Sequence, residues 1–240
     1  MLTFIAKNWL YCTLVMLIAV VTTEWIYAER DNRQLKAQLQ EQVDHKARTA
    51  AMKSMVKSYS NNQNKPATGK NSYEAWINAQ QTAARFYQTS NHQFKKKWGL
   101  FLVMEARERG VDPDIVFELL KVETGGTFDT HLIGPETKYG RAYGMAQFMT
   151  NTAPWIAKMA DMPYNKDKLF DPYYSIELAI TYLDFLYEEY GNWNKALTAY
   201  NRGIYGMKNY VQEHGDSKSS YAVTIRRQAE KKNADYVYGG

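Results

Sequence analysis

The chain contains very little cysteine and histidine. Its 240 residues include one cysteine, Cys12, and four histidines that lie far apart in the sequence. A single cysteine excludes an internal disulfide, and no Cys/His spacing typical of a metal site occurs. The sequence therefore predicts a fold held together by its apolar core, without a metal site.

Internal repeats and alternating strand patterns are also missing. Apolar residues make up 45% of the chain, enough for one ordinary core. From residue 73 onward their spacing is helical. Pro113 after Asp112 predicts a capped helix start. The sequence thus predicts an all-α fold, with helix ends at Gly110, Gly191 and Gly203 and helices over 73–88, 91–109, 113–123, 151–160, 175–190 and 194–201.

Positive charge is in small excess, with a net charge of +5. The basic residues are scattered, apart from the short clusters at 95–97 and 231–232. No nucleic-acid-binding motif accompanies them, so we expect no nucleic-acid partner. An excess of this size equally suits an anionic envelope polymer or a membrane surface.

The N-terminal segment is a long stretch without charge. Residues 8–23 carry none, and with the apolar residues on either side the segment extends over residues 4–27. That length can span a lipid membrane, and Trp9 and Trp25 would suit its two interfaces. We therefore predict a membrane anchor over residues 1–28, in contact with lipid through residues 4–27.

A cleaved signal peptide is the alternative for this segment. Ile26, Tyr27 and Ala28 loosely resemble a cleavage site. Ile26 is not the small residue that such a site requires at this position, and one lysine makes a poor basic leader. An uncleaved anchor is therefore favoured.

Residues 29–72 are polar and separate this segment from the rest of the chain. Over residues 29–58, apolar residues recur at every fourth position, a thin helical stripe made by Leu35, Leu39, Val43 and Ala47. The stripe predicts a helical stalk or a weak coiled coil, which could mediate self-association or join an envelope or virion complex. Residues 60–72 contain proline and glycine and are typical of a linker. We therefore place a single domain at residues 73–240.

Glu123 occupies an unusual position at the end of the predicted helix 113–123. A helical wheel places Ile115, Val116, Leu119, Leu120 and Val122 on one side and Asp114, Glu118 and Lys121 on the other. Glu123 follows Leu119 by four residues and so lies on the apolar side.

Two effects then raise the pKa of Glu123. Burial disfavours its carboxylate, and so does the negative end of the helix dipole. A glutamate that stays protonated near neutral pH can serve as a general acid. Gly125 and Gly126 would let the chain turn away and a substrate come close. The alternative is a frayed helix end with the carboxylate in water.

Four short motifs follow one another in a recognisable order: ETGGTF at 123–128, GRAYGMAQFMTNTA at 140–153, LFDP at 169–172 and ALTAYNRG at 196–203. The ordered set resembles the catalytic domain of soluble lytic transglycosylases, relatives of goose-type lysozyme, over roughly residues 108–225. The resemblance implies a lysozyme-like domain. Thr124 replaces the usual serine, Met145-Ala146 replaces the usual Leu-Met, and the segment between Phe128 and Gly144 is longer than the family pattern.

The resemblance also implies a set of site residues. Glu123 would be the catalytic acid and base. The predicted substrate-binding residues are Thr124, Phe128, Gly144, Met145, Gln147, Tyr200, Asn201 and Tyr221. Among them Gln147 would bind sugar on the groove floor, Tyr200 and Asn201 would lie near the acetamido group, and Tyr221 would support the glutamate. Taken singly, Met145 and Tyr200 would suit core packing, and Asn201 would suit helix capping.

The implied reaction cleaves the β-1,4 bond between N-acetylmuramic acid and N-acetylglucosamine in the glycan strands of peptidoglycan. It leaves a 1,6-anhydro end, and one carboxyl suffices, whereas ordinary glycosidases use two. Neither a metal nor a cofactor is expected. A hydrolase of the same fold would need a second carboxylate, for which Asp129 and Glu136 are the candidates. A non-enzymatic, membrane-tethered, glycan-binding scaffold is the alternative from another class.

The expected substrate predicts the location of the domain. Peptidoglycan lies outside the cytoplasmic membrane, so we expect the catalytic domain on the periplasmic or cell-wall side of an anchored chain, or in a virion. Wall turnover, secretion, conjugation and bacteriophage entry or lysis all remain open as the biological programme.

Overall fold

The computed structural model describes residues 22–36, 38–39, 42 and 73–238. The chain divides into two units, Met1–Ser58 and Tyr59–Gly240. In the first unit the described residues are helical. They cover only part of the predicted stalk at 29–58, which therefore stays a prediction.

Most of the predicted anchor, residues 1–21, lies outside the residues that the structure describes. Among the helices that are described, none is long and apolar enough to cross a membrane. The anchor and its lipid contact through residues 4–27 therefore stay predictions.

The second unit is helical with one small hairpin. Its helices are α1 (Tyr73–Thr89), α2 (Lys96–Glu108), α3 (Pro113–Glu123), α4 (Ala153–Met159), α5 (Pro172–Tyr190), α6 (Trp193–His214) and α7 (Ser220–Tyr238), with a 3₁₀ turn at Lys166–Phe170. The hairpin strands are β1 (Ala142–Tyr143) and β2 (Phe148–Met149). The all-α class is confirmed, and the two-residue strands are too short to show the alternation that predicts a strand.

Helix α5 forms the middle of the core. Twelve of its residues are buried, and it packs against α2, α4 and α6. Asp171 caps it by accepting hydrogen bonds from the N–H groups of Tyr173 and Tyr174, and Pro172 stands at its first position. A helix that is buried on nearly all sides gives the surrounding elements a fixed reference.

A cluster of phenylalanines fixes the segment that follows α3. Phe117 on α3 stacks on Phe86 of α1, with ring centroids 4.2 Å apart. Phe128 lies 5.3 Å from Phe117 and 5.0 Å from Phe94. These aromatic contacts hold the chain just beyond Glu123 against the core.

The hairpin sits tightly over the 3₁₀ turn. In β1 and β2, Tyr143 pairs with Phe148. At Gly144, which begins the connecting loop, φ is +73°, and a Cβ atom would lie 1.7 Å from the carbonyl oxygen of Leu169. Only glycine fits this position, because both the backbone angle and the space exclude a side chain.

The predicted helices differ from the observed ones in their limits and in their number. Residues 90–95 form a turn before α2, in which the Phe94 N–H donates to the Ser90 hydroxyl, so the predicted helix 91–109 begins later. The predicted helix end at Gly203 is present as a break inside α6, where φ is 74° and ψ is 163°, and a second helical segment follows it to His214. The sequence did not predict α7, because the apolar stripe of this helix is thin.

The predicted division of α3 into an apolar and a polar side was also wrong. Asp114 and Glu118 are buried, whereas Val122 is 37% exposed. Asp114 accepts two hydrogen bonds of 2.7 Å from Arg85 of α1, and Glu118 lies 3.5 Å from the Lys121 ammonium. Opposite charges allow these carboxylates to be buried, which a helical wheel cannot reveal.

We predict that Gly144→Ala strongly destabilises the domain. The alanine would have to adopt a left-handed backbone conformation, and its Cβ would clash with the backbone at Leu169. Together these effects should lower the free energy of unfolding by about 3 kcal/mol. Gly140→Ala is the matched control, because φ there is +100° and no atom lies within 4 Å of the added Cβ; it should cost about 1 kcal/mol. Urea unfolding measures both, and equal losses would contradict the close approach at Leu169.

Candidate active site

Glu123 is the last residue of α3, at the junction of two helices. The Asp112 side chain caps the start of α3, and α3 packs against α7. That packing brings Tyr221 to Glu123, so that its hydroxyl donates a 2.5 Å hydrogen bond to Glu123 Oε1 across 98 residues of sequence. The resemblance implied that Tyr221 supports Glu123, and the two side chains are in direct contact through this hydrogen bond.

The environment changes the acidity of this carboxyl. Burial raises the pKa of Glu123 from 4.5 to about 7, and the Tyr221 hydrogen bond lowers this pKa in part. The direction predicted from the helix pattern is confirmed, and burial is its main cause. Near neutral pH the carboxyl can therefore give and take a proton, as general acid and base catalysis requires.

Hydrogen bonds inside the turn after Glu123 fix its conformation. The Thr124 hydroxyl donates to the Leu120 carbonyl at 2.8 Å and accepts from the Phe128 N–H at 3.0 Å. Gly125 and Gly126 adopt positive φ, and the predicted turn away from the helix is present. Thr124 and Phe128 are both buried. They position the glutamate, and their contact with a substrate stays a prediction.

The loop of the hairpin carries the Gly-x-x-Gln motif. Gln147 Nε2 donates to the Gly144 carbonyl at 2.7 Å and to the Leu132 carbonyl at 3.3 Å. Met145 is fully buried. The side-chain amide of Gln147 thus links the segment at Leu132 to the loop at Gly144. Sugar binding by Gln147 and Met145 stays a prediction.

Tyr200 connects this loop to the neighbourhood of Glu123. Its hydroxyl donates to the Ala146 carbonyl at 3.0 Å. Burial raises the pKa of Tyr200, and the nearby Glu123 charge raises it further. Glu123 and Tyr200 in turn raise the pKa of Tyr221, after burial, so the predicted site residues Glu123, Tyr200 and Tyr221 are close together. Asn201 is exposed.

Two further aromatic residues, Tyr182 and Phe148, surround Tyr200 and were not predicted from the sequence. The Tyr182 ring lies 5.4 Å from Tyr200, and the Phe148 ring lies 5.6 Å from it. Both are buried and fix the orientation of Tyr200. No pattern in the sequence separates these two residues from other core aromatics, so only the structure identifies them.

The two candidate second carboxylates are exposed. Asp129 Oδ1 accepts from the His131 N–H, and Glu136 pairs with Arg141 at 2.6 Å. Neither contributes to the pKa shift of Glu123, whose two causes are burial and Tyr221. Within the described part of the chain no group of histidine, cysteine and acidic side chains could hold a metal ion.

Comparison with known proteins identifies the family. The model of the transglycosylase SLT domain matches residues 101–223. The chain belongs to this family, as the motif order predicted.

A solved structure and the curated proteins complete the comparison. The chain is similar to the inactive mutant of the lytic transglycosylase Slt from Pseudomonas aeruginosa, with a TM-score of 0.49 and 20% sequence identity. The match covers 67% of this chain and 29% of that chain, so this chain spans less than a third of its length. No curated protein is a significant match.

We predict that Glu123→Gln stabilises the domain at neutral and alkaline pH. A raised pKa means that the folded state binds its proton more tightly than the unfolded state, so the parent loses stability as pH rises from 4.5 to about 7. The amide does not titrate and still accepts from Tyr221. Between pH 4.5 and about pH 8 the free energy of unfolding of the variant should rise by about 2 kcal/mol relative to that of the parent. This figure allows for the partial solvent exposure of Glu123.

Thermal unfolding across this pH range measures the gain. Glu213→Gln, an exposed substitution of the same kind on α6, is the matched control and should not reproduce it. A pH-independent difference between Glu123→Gln and the parent would contradict the raised pKa.

We predict that Tyr221→Phe raises the pKa of Glu123 further. The Tyr221 hydrogen bond favours the ionised carboxylate of Glu123. Its removal should therefore raise the pKa of Glu123 by about one pH unit. Carbon NMR titration of the Glu123 carboxyl, assigned with Glu123→Gln, measures it. Tyr210→Phe, on the same domain but stacked on His214, should leave it unchanged, and an unchanged pKa in Tyr221→Phe would refute the role of the hydroxyl.

Proposed function

We propose that the domain is a peptidoglycan lytic transglycosylase. It cleaves the β-1,4 bond between N-acetylmuramic acid and N-acetylglucosamine and forms a 1,6-anhydro end. The observation that carries the proposal is the largely buried Glu123 carboxyl, whose pKa is raised to about 7 and which Tyr221 holds by a hydrogen bond. Family membership supports the proposal through residues 101–223.

In the first step Glu123 acts as the acid. Its protonated carboxyl gives its proton to the glycosidic oxygen, and the bond from that oxygen to C1 of the muramoyl sugar breaks. The acetamido group of the same sugar stabilises the positive charge at C1. Tyr221 donates to the carboxylate that Glu123 becomes, which lowers the free energy of the ionised form.

In the second step the same carboxyl acts as the base. Glu123 takes the proton of the C6 hydroxyl, and O6 bonds to C1 and closes the anhydro ring. The carboxyl is protonated again, and no water is consumed. A pKa near 7 suits a group that must act in both directions, because neither protonation state is strongly disfavoured at neutral pH.

The two candidate carboxylates give no support to a hydrolysis that uses two carboxyls. An inverting hydrolase needs a second carboxylate to activate water, and a retaining one needs it as a nucleophile. Asp129 and Glu136, the candidates for it, are exposed and bonded within their own loop. Glu123 and the acetamido group of the substrate therefore account for the chemistry.

The proposed substrate places the domain outside the cytoplasmic membrane. An anchor over residues 4–27 and a stalk over residues 29–58 would hold it near the membrane within reach of the wall. The stalk would also be the segment for self-association or for joining an envelope or virion complex. Opening the wall locally is the role that this arrangement serves.

We predict that the chain releases muropeptides with 1,6-anhydro ends from purified peptidoglycan. The full chain, kept soluble with detergent, is incubated with the wall polymer, and mass spectrometry of the soluble products provides the measurement. Each new anhydro end lacks the mass of one water relative to a hydrolysed end. Reducing ends that carry the added water would instead indicate a lysozyme and direct attention to Asp129 and Glu136.

Glu123→Gln is the decisive variant in this assay. It should bind peptidoglycan like the parent but lose at least about 100-fold of its cleavage rate, because the amide can neither give nor take the proton. Glu213→Gln should retain full activity. Binding without any cleavage by the parent would support the alternative of a glycan-binding scaffold.

A further inference from the structure

Helix α6 breaks directly after two of the predicted site residues. Tyr200 and Asn201 are followed by Arg202 and then by Gly203, where φ is 74° and ψ is 163°. Essentially only glycine adopts these backbone angles. The direction of the second segment of α6, residues 204–214, is therefore not fixed by a continuous helix, and other contacts must determine it.

A stack of three side chains spans this break. The Arg202 guanidinium lies 4.9 Å from the centre of the Tyr210 ring. The His214 ring lies 4.1 Å from the Tyr210 ring, with an angle of 11° between the two planes. Because a ring stacked this closely covers one face of Tyr210, the guanidinium lies over the other face. Arg202, Tyr210 and His214 are called the α6 brace below.

The contact between Arg202 and Tyr210 is unusual for two residues of one helix. Side-chain pairs within a helix normally join residues three or four positions apart, as the Lys208 ammonium does over the Tyr205 ring at 5.7 Å. Eight positions of straight helix would separate Arg202 from Tyr210 by about 12 Å along the axis and about 80° around it. The α6 brace therefore joins the two segments of α6 across the break.

The second segment is held on its core side and on its solvent side. Ile204 and Met207 are buried, and they anchor this segment to the domain. Arg202 is exposed and Tyr210 is half-buried, so the brace lies nearer the solvent. It limits the movement of the turn that precedes the break, and that turn contains Asn201.

Asn201 depends on this turn more than Tyr200 does. The Tyr200 hydroxyl has its own hydrogen bond to the Ala146 carbonyl. The Asn201 side chain is exposed, and it forms no hydrogen bond with any residue that the structure describes. The direction of the Asn201 side chain therefore follows from the backbone that continues into Arg202.

We propose that Arg202 and Tyr210 are positioning residues for the reaction. The α6 brace holds the turn before Gly203 so that Asn201 faces the acetamido group of the muramoyl sugar. Without the brace the turn takes other orientations, and an exposed cation–ring contact changes such an equilibrium about threefold. The assignment rests on the proposed function, because it takes the acetamido group as the ligand of Asn201.

A double-mutant cycle with Asn201 tests the positioning role. Arg202→Met keeps an aliphatic stem and removes the cation, so it should lower kcat/KM of the full chain on purified glycan strands about threefold. In an Asn201→Ala background the same substitution should cause no further loss, because no side chain is left to position. A role in folding alone would lower the folded fraction equally in both backgrounds. Equal losses, or an Asn201→Ala variant as active as the parent, would overturn the proposal.

Variants of the ring separate the stack from the tyrosine hydroxyl. Tyr210→Phe keeps the ring and should match the parent, whereas Tyr210→Leu should reproduce the loss in Arg202→Met. Lys208→Met is the matched control, because its cation–ring contact lies within the second segment; it should leave kcat/KM unchanged. Full activity in Tyr210→Leu, or the same loss in Lys208→Met, would contradict the brace.

Hydrogen exchange in peptides that cover residues 200–206 gives a measurement that needs no catalysis. Arg202→Met should raise the exchange rate there about threefold, and Lys208→Met should not. If the parent cleaves no glycan while the exchange rate depends on Arg202, the proposed function fails and the brace stands. If the parent cleaves glycan and Arg202→Met leaves the exchange rate unchanged, the brace alone fails.

Discussion

The structure depends on one interaction: a largely buried carboxyl at the end of α3 that accepts a hydrogen bond from the first turn of α7. Glu123 and Tyr221 are 98 residues apart, so the whole domain is needed to bring them together. Burial raises the pKa of Glu123, and the tyrosine limits that rise. The balance of these two effects keeps the carboxyl near the point at which it can both give and take a proton.

Keeping that carboxyl buried constrains the chain around it. The turn after Glu123 cannot move freely, because the Thr124 hydroxyl bonds to both sides of it and Phe128 is packed among phenylalanines. Phe128 and Gln147 both adopt positive φ, which is unfavourable for residues with side chains. Strain of this kind is maintained only when the surrounding packing determines the conformation.

The sequence was sufficient for the local features and insufficient for the contacts between distant elements. The position of Glu123 four residues after Leu119 predicted its burial, and the Asp112 cap and the glycine turn were predicted from their own neighbourhoods. The burial of Asp114 depends on Arg85 of another helix, which no helical wheel includes. The motif residues Thr124 and Gln147 were predicted by resemblance, but their hydrogen bonds to the backbone follow only from the folded chain. Tyr182 carries no sequence signal at all.

The central claim is that Glu123 acts alone, first as acid and then as base, and that water takes no part. Cleavage of peptidoglycan by the full chain in water enriched in heavy oxygen, followed by mass spectrometry of the new glycan ends, tests it most directly. We predict that the new ends contain no heavy oxygen, because the C6 hydroxyl of the substrate supplies the oxygen that bonds to C1. One heavy oxygen at each new end would contradict the account and assign the domain to hydrolysis.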